Sequence, residues 1–316
     1  MKALAHEDGP VVVDVPEPVC GAEEALVAVR MAGICATDLE VTRGYRAFRG
    51  LMGHEMVGEV VECVADPSWV GQRVAAEINV TCGLCDMCAR GRGNHCRKRT
   101  VMGIHARPGC FAERVALPVR NLHRVPEHVP DQAAVFTEPL AAAYAITTQV
   151  DVAAMSSIAV LGDGRLGLLI AMALHECGGD VTLIGRHPHK LAIAEAVGVR
   201  VQTVDATDGE SFELVVEATG SHGGLARALE LVAARGTVVL KSTMHRAPTV
   251  DTNRIVVDEI RLLGSRCGPF PTALAALGSG AVDPAPLVDA TYPLDRGVEA
   301  VAHAARKGTL KILLNI

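Results

Sequence analysis

The chain of 316 residues is long enough for two domains with cores of their own, and its 49% hydrophobic content, with no apolar run of bilayer-spanning length, marks a soluble globular protein. A formal charge of −6 gives no basic footprint for nucleic acid, and no basic amphipathic helix points to a membrane surface. Ten cysteines in such a chain signify thiols and metal more than disulfides; the opening Met1-Lys2-Ala3-Leu4-Ala5-His6 reads as a first strand and not a secretion signal, so the expected compartment is the cytoplasm.

In chain order, β-type runs at 25–31, 56–64 and 73–78 alternate with Gly and Pro turns, which predicts a small irregular β domain. Within it, Gly33-Ile34-Cys35-Ala36-Thr37-Asp38 and Gly53-His54-Glu55 place a thiol, an imidazole and carboxylates on the loops of one domain. These are the soft and borderline ligands that zinc prefers. Alone, Cys35 would read as a small core residue and His54 as a turn histidine; their company carries the metal reading.

Cys82, Cys85, Cys88 and Cys96 follow as C-x2-C-x2-C-x7-C, a spacing in which four thiolates close a tetrahedron around one metal within a single loop. Four sulfurs leave no open position, so this site is expected to be structural, pinning an otherwise loose lobe. At Glu138-Pro139-Leu140-Ala141 a helix is predicted to start, with proline at its first position and Glu138 readable as its cap.

The stretch 157–190 reads as strand, glycine turn, helix and second strand. Gly162, Gly164 and Gly167 form G-x-G-x-x-G after the apolar run 158–161, with Arg165 and Leu166 opening a helix over about 166–174. The first glycine permits a tight turn, the second lets a pyrophosphate approach the backbone, and the third allows the helix to pack on the strand. Past the second strand at 180–184, the position where an acidic residue would accept from an NAD ribose is Gly185. Arg186 follows, with His187, His189 and Lys190 close behind, so the pocket is expected to lack a repelling carboxylate and to favour the 2′-phosphate of NADP over NAD. The plain alternative is a solvated basic start to the next helix.

Residues 205–212 leave little room for a full helix before a strand at 213–217, which leads into Ala218-Thr219-Gly220 at the cofactor edge of the sheet. Strands are predicted at 236–240 and 259–264, then a turn-rich stretch containing Arg266 and Phe270, a helix over 294–306 and a last apolar run at 310–314. Tyr45, Phe48, Trp69 and Phe270 are candidate walls of a substrate pocket, though such aromatics are more often core.

Together and in this order, Cys35 to Asp38, Gly53-His54-Glu55, the four-cysteine lobe, Glu138-Pro139-Leu140-Ala141 and the glycine turn resemble the zinc-dependent medium-chain alcohol and polyol dehydrogenases, closest in pattern to the sorbitol and glucose branch. The resemblance implies an α/β fold: a chaperonin-10-like catalytic β domain at 1–138 and 269–316, with its structural zinc lobe at about 80–99, and a Rossmann cofactor domain of doubly wound parallel sheet at 139–268. It implies two Zn2+ per chain. Cys35, His54 and Glu138 become catalytic zinc ligands, with Glu55 the carboxylate that enters when ligands exchange, Asp38 the acceptor that orients His54, and Thr37 the hydroxyl that passes the alcohol proton onward. The relay histidine of many relatives falls at Glu40, and Arg266 stands where polyol enzymes place a substrate-facing arginine. The implied reaction is hydride transfer between a small secondary alcohol, polyol or sugar-like, and NAD(P), in a homodimer or homotetramer. A dehydrogenase of simple alcohols using NAD, a non-catalytic zinc scaffold and a zinc-free reductase on the same fold are the alternatives.

Overall fold

A computed structural model describes residues 1–243 and 249–316. The chain divides into two compact units, Met1–Glu138 with Ala273–Ile316, and Pro139–Thr272.

The first unit is built on a seven-stranded sheet whose backbone is the eleven-residue strand Glu24–Ile34. The apolar series Ala25, Leu26, Val27, Val29, Met31, Ala32 and Ile34 is buried along it. Strands Glu55–Glu62 and Lys311–Asn315 flank it antiparallel, with Gly33 opposite Glu55 and Ile312 opposite Ile34. Arg73–Ala76, Leu122–Arg124, Val288–Pro293 and Arg114–Pro118 complete the sheet. Smaller three-stranded sheets lie at Pro10–Asp14, Lys2–His6 and Gly50–Leu51, and at Asn79–Val80, Thr100–Met102 and Ala106–Arg107. The opening residues do form a strand, and the last apolar run returns to this unit's central sheet. The predicted helix over 294–306 is shorter than its periodicity suggests: a single 3-10 turn, Leu294–Arg296, precedes the helix Gly297–Ala304, and Arg296, at φ −101 and ψ 22, leaves helical geometry between them.

The second unit is a six-stranded, all-parallel sheet in the order Arg200–Thr203, Val181–Gly185, Ile158–Leu161, Phe212–Glu217, Val232–Leu240, Arg261–Gly264. Its central strands are near-continuous apolar runs, as a sheet covered on both faces requires. Strand order reverses between Ile158–Leu161 and Phe212–Glu217, so a topological switch point lies at their carboxyl ends, where the glycine turn sits. The helix after that turn runs Arg165–Glu176 with eight consecutive buried residues from Gly167 to Leu174. The connection before Phe212 holds only the 3-10 turn Val204–Ala206, as its length dictates.

One backbone position in the first unit is critical. Gly53, beside His54, has φ +94, and a Cβ there would lie 2.2 Å from the Phe111 ring. Gly53→Ala combines left-handed strain with overpacking and is expected to cost about 2–4 kcal/mol of stability. Chemical denaturation of the two proteins checks this.

Candidate active site

Cys35 ends up beside His54 because of strand register. Cys35 immediately follows Glu24–Ile34 and caps the helix Ala36–Thr42; His54 immediately precedes the paired strand Glu55–Glu62. With Gly33 opposite Glu55, the two loops that carry the thiol and the imidazole open at the same sheet end. The ligand atoms of Cys35, His54 and Glu55 lie within 4.8 Å of one another. Glu138 is half-buried in the first turn of the helix Thr137–Tyr144 and is not a member of that group.

Asp38 ties the cluster together. It is fully buried; one carboxylate oxygen accepts from the Cys35 amide at 2.8 Å and the other pairs with His54 Nδ1 at 3.1 Å. With the proton on Nδ1, Nε2 is left with a lone pair suited to a metal. Burial, the largest single influence on His54, disfavours its imidazolium, yet the Asp38 carboxylate and Cys35 together raise it well above the ordinary histidine range. A divalent cation is the natural occupant of so anionic a pocket. Thr37 Oγ1 is 3.8 Å from Cys35 Sγ. Glu40 pairs with Arg43 at 2.6 Å, so the position of the relay histidine is taken by an ion pair.

Lys311 is the functional residue that sequence reasoning missed. It heads the strand Lys311–Asn315, is 0% exposed, and its ammonium pairs with Glu55 Oε2 while lying 3.5 Å from the Ile34 carbonyl and 5.3 Å above the Phe136 ring. The other Glu55 oxygen is buried without a partner. An orphaned carboxylate oxygen beside a thiol and an imidazole fits a metal ion. Gly33 makes room for this: a Cβ there would lie 2.5 Å from Glu55 Oε2. The available signal was a lone lysine at the head of the apolar run Lys311-Ile312-Leu313-Leu314. Cys110, against the Glu55 carbonyl at 3.6 Å, is held as a neutral thiol because burial pushes it up.

The four-cysteine lobe converges as its spacing predicts. Cys85 to Cys88, Cys85 to Cys96 and Cys96 to Cys82 are 3.6, 3.9 and 3.5 Å apart between sulfurs. A tetrahedron with zinc–sulfur bonds of about 2.3 Å has edges of about 3.8 Å, so the donors fit zinc. The backbone amides of Arg97 and Cys88 pull the Cys85 thiol down to about 6, favouring the thiolate that a metal binds.

In the second unit the glycine turn is open where a ligand must approach: a Cβ on Gly164 would meet nothing within 4 Å, whereas one on Gly167 would overlap the Gly162 carbonyl at 1.8 Å. Arg165 and Leu166, both half-buried, begin the helix whose amino end faces this cradle. Thr219 follows the strand Phe212–Glu217 and gives its amide and hydroxyl to Glu217 Oε1 at 2.8 and 2.6 Å. At the neighbouring strand end, Gly185 is buried, Arg186 is exposed and Lys190 is 5% exposed. The expectation that no carboxylate stands there is corrected. Asp163, between the first two glycines, sends its carboxylate across to the Arg186 and His187 amides, both at 2.7 Å, and to His187 Nδ1 at 3.0 Å. It can do so because Gly185 has no side chain; a Cβ there would lie 2.5–2.7 Å from Asp163.

The aromatic candidates are largely spoken for. Phe48 and Phe270 are buried, and Trp69 lies beneath the Arg124 guanidinium at 4.6 Å. Tyr45 is half-buried. Arg266 is exposed, its carbonyl accepting from Lys241 Nζ at 3.1 Å.

A doubly wound sheet with a phosphate cradle, in one chain with a β unit bearing a thiol–imidazole–carboxylate cluster, defines a zinc-type nicotinamide dehydrogenase. Residues 21–127 match the alcohol dehydrogenase GroES-like domain and residues 166–279 the zinc-binding dehydrogenase domain. The chain is 30% identical to L-threonine 3-dehydrogenase of Chelativorans sp. (strain BNC1), over 84% of its own length and 83% of that protein. It is 31% identical to erythritol/L-threitol dehydrogenase of Mycolicibacterium smegmatis, over 92% and 90%. Among solved structures, the short chain alcohol dehydrogenase (rspB) of Escherichia coli CFT073 complexed with NADH aligns at TM-score 0.92 and 26% identity, covering 100% of this chain and 99% of that one. A chain of Sinorhizobium meliloti 1021 assigned as a zinc-binding dehydrogenase and bound to NADP aligns at 0.91 and 29%, with the same coverage. The protein belongs to the zinc-binding alcohol dehydrogenase family, and it is an oxidoreductase of CH–OH groups that exchanges hydride with NAD(P).

The Glu55–Lys311 pair gives a direct test of the cluster's electrostatics. Lys311→Met leaves a buried carboxylate uncompensated and is expected to cost about 3–5 kcal/mol, most of it recovered in Glu55→Gln/Lys311→Met. Denaturant titration of the three proteins in the presence of chelator measures the pair alone.

Proposed function

We propose that the chain oxidises a secondary alcohol of polyol or sugar-like type, with Cys35 and His54 holding a catalytic zinc, Cys82, Cys85, Cys88 and Cys96 holding a structural one, and NADP as the preferred acceptor. The observation that carries this reading is the convergence of Cys35, His54 and Glu55 around an orphaned buried carboxylate oxygen. Glu138 is the third protein ligand in this reading, and Glu55 the carboxylate that substitutes for it during ligand exchange. When bound, the zinc polarises the alcohol oxygen and the nicotinamide accepts the hydride. The chain's own residues do the rest. Asp38 fixes the His54 tautomer, Thr37 carries the hydroxyl proton away from the cluster, and Gly162, Gly164, Arg165, Leu166, Gly167 and Thr219 shape the cradle for the pyrophosphate. The relatives named for L-threonine and for erythritol/L-threitol support a secondary alcohol as substrate.

Gly185, Arg186 and Lys190 support NADP, while the NADH-bound neighbour keeps NAD as the second reading. A homo-oligomer is supported by the edge strand Arg261–Gly264, where Leu262 is 37% exposed, and by Val256 and Val257 nearby at 74% and 78%. None of the ten cysteines is joined in a disulfide and five are assigned to metal, which supports the reducing cytoplasm as the compartment.

Metal analysis and steady-state kinetics test this together. The protein is expected to carry two zinc ions per chain and to oxidise polyols with NADP in preference to NAD and to simple alcohols. Cys35→Ala should retain one zinc and lose at least about 10³-fold in turnover, a loss on the scale of about 4 kcal/mol of transition-state stabilisation. Glu138→Ala and Glu55→Ala, compared for zinc content, separate the two carboxylate roles: Glu138→Ala should lose the catalytic zinc and Glu55→Ala retain it. Normal turnover at one zinc per chain overturns the catalytic-metal reading. Leu262→Arg is expected to shift the protein towards monomer in sedimentation analysis.

A further inference from the structure

The cofactor turn holds an arrangement that the family pattern did not announce. A carboxylate stands at the end of the strand Val181–Gly185, but it comes from Asp163, across the turn, and not from the strand itself. One oxygen, Oδ2, takes all three contacts: the amides of Arg186 and His187 and the His187 ring. These amides lie in the connection that leads into the helix Pro188–Glu195. The His187 ring is further placed edge-on to His189, with centroids 5.9 Å apart.

A second observation points to an anionic ligand here. Lys190 is 95% buried in the first turn of that helix, where the helix dipole disfavours a cation, and no carboxylate lies within ion-pairing distance of it among the described residues. Its stem is buried while its ammonium keeps contact with solvent, so the charge is open to an arriving anion at the amino end of the helix. With Arg186 exposed on the same connection, two cations stand close in sequence to a carboxylate whose charge is already engaged by three donors. The local balance favours a phosphate.

We infer that Asp163 is a positioning residue for cofactor choice: by clamping the Arg186–His187 backbone it holds Arg186 and Lys190 in place for the 2′-phosphate of NADP, and it does not itself read the ribose. The inference rests on the NADP preference proposed above and adds the residue that enforces it. Its distinctive consequence is that removing a negative charge from beside the cofactor weakens binding of the more negative cofactor.

Calorimetric dissociation constants for NADP, NAD and adenosine 2′-phosphate, on wild type, Asp163→Ala and Asp163→Asn, test it. Wild type should bind NADP at least tenfold more tightly than NAD; the reverse order defeats the NADP reading on its own, whatever the variants do. Asp163→Ala should weaken NADP and adenosine 2′-phosphate about tenfold and NAD less than twofold. Asp163→Asn keeps one acceptor oxygen for the amides and should fall between. If both variants instead tighten NADP and weaken NAD, the carboxylate is a ribose acceptor and the inference is overturned; an unchanged NADP/NAD ratio overturns it equally. Should Asp163→Ala fail to fold, Asp163→Asn carries the same test, with faster exchange of the Arg186 and His187 amides expected alongside the loss of NADP affinity.

Discussion

The buried pairing of Glu55 with Lys311 is the interaction on which the catalytic unit is built. Both groups are 0% exposed, and burying either one alone would cost several kcal/mol. Their meeting requires three strands to end at one place: Glu24–Ile34 in the middle, Glu55–Glu62 on one side and Lys311–Asn315 on the other. It also requires the residue opposite Glu55 to have no side chain, which Gly33 provides. Once that junction is set, Cys35 and His54 have little freedom. Each is the next residue beyond a strand end fixed by the same register, and Asp38 joins the two through one carboxylate. The pieces Gly33-Ile34-Cys35, Gly53-His54-Glu55 and Leu310-Lys311 are remote in sequence but form a single physical object.

The second unit solves a different problem with a similar economy. Dinucleotide-binding turns conventionally draw a carboxylate from the end of the second strand. Here glycine occupies that position, and the carboxylate enters from the opposite side of the glycine turn. The exchange changes what the group can do. A carboxylate anchored on two amides and a ring nitrogen shapes the connection ahead of the helix Pro188–Glu195, while the cations beyond it remain free to meet an incoming charge.

Much of this was legible in the sequence because local rules govern it. The glycine turn, its flanking strands and the four-cysteine spacing each lie within a short stretch, where turn chemistry and ligand reach decide the outcome. The absence of a helix before Phe212 followed from length alone. What was not legible depended on register between distant segments. Lys311 looked like the polar start of an apolar strand, and only the pairing of Ile312 with Ile34 brings it to Glu55. Asp163 was passed over as the variable residue of G-x-G-x-x-G, because the pattern describes backbone needs and is silent on where a side chain in that gap can reach. The helix over 294–306 was overextended for a related reason: its apolar spacing outlasts the helical backbone, which begins only after the non-helical Arg296 and ends at Ala304.

Charge accounting explains why the catalytic cluster keeps so costly a design. A hydrophobic pair in place of Glu55 and Lys311 would serve stability as well or better. As carboxylates, Asp38 and Glu55 contribute two negative charges, against one positive charge from Lys311 when His54 is the neutral tautomer that Asp38 selects. These buried groups are therefore left with an excess of negative charge, which a divalent cation offsets. The raised His54 is the same imbalance expressed by the one group able to take up a proton. Lys311 thus sets how much negative charge the buried groups present: without it the excess would be larger, and with a second lysine it would vanish. Affinity for a doubly charged metal is written into a strand pairing made far from any ligand in the sequence.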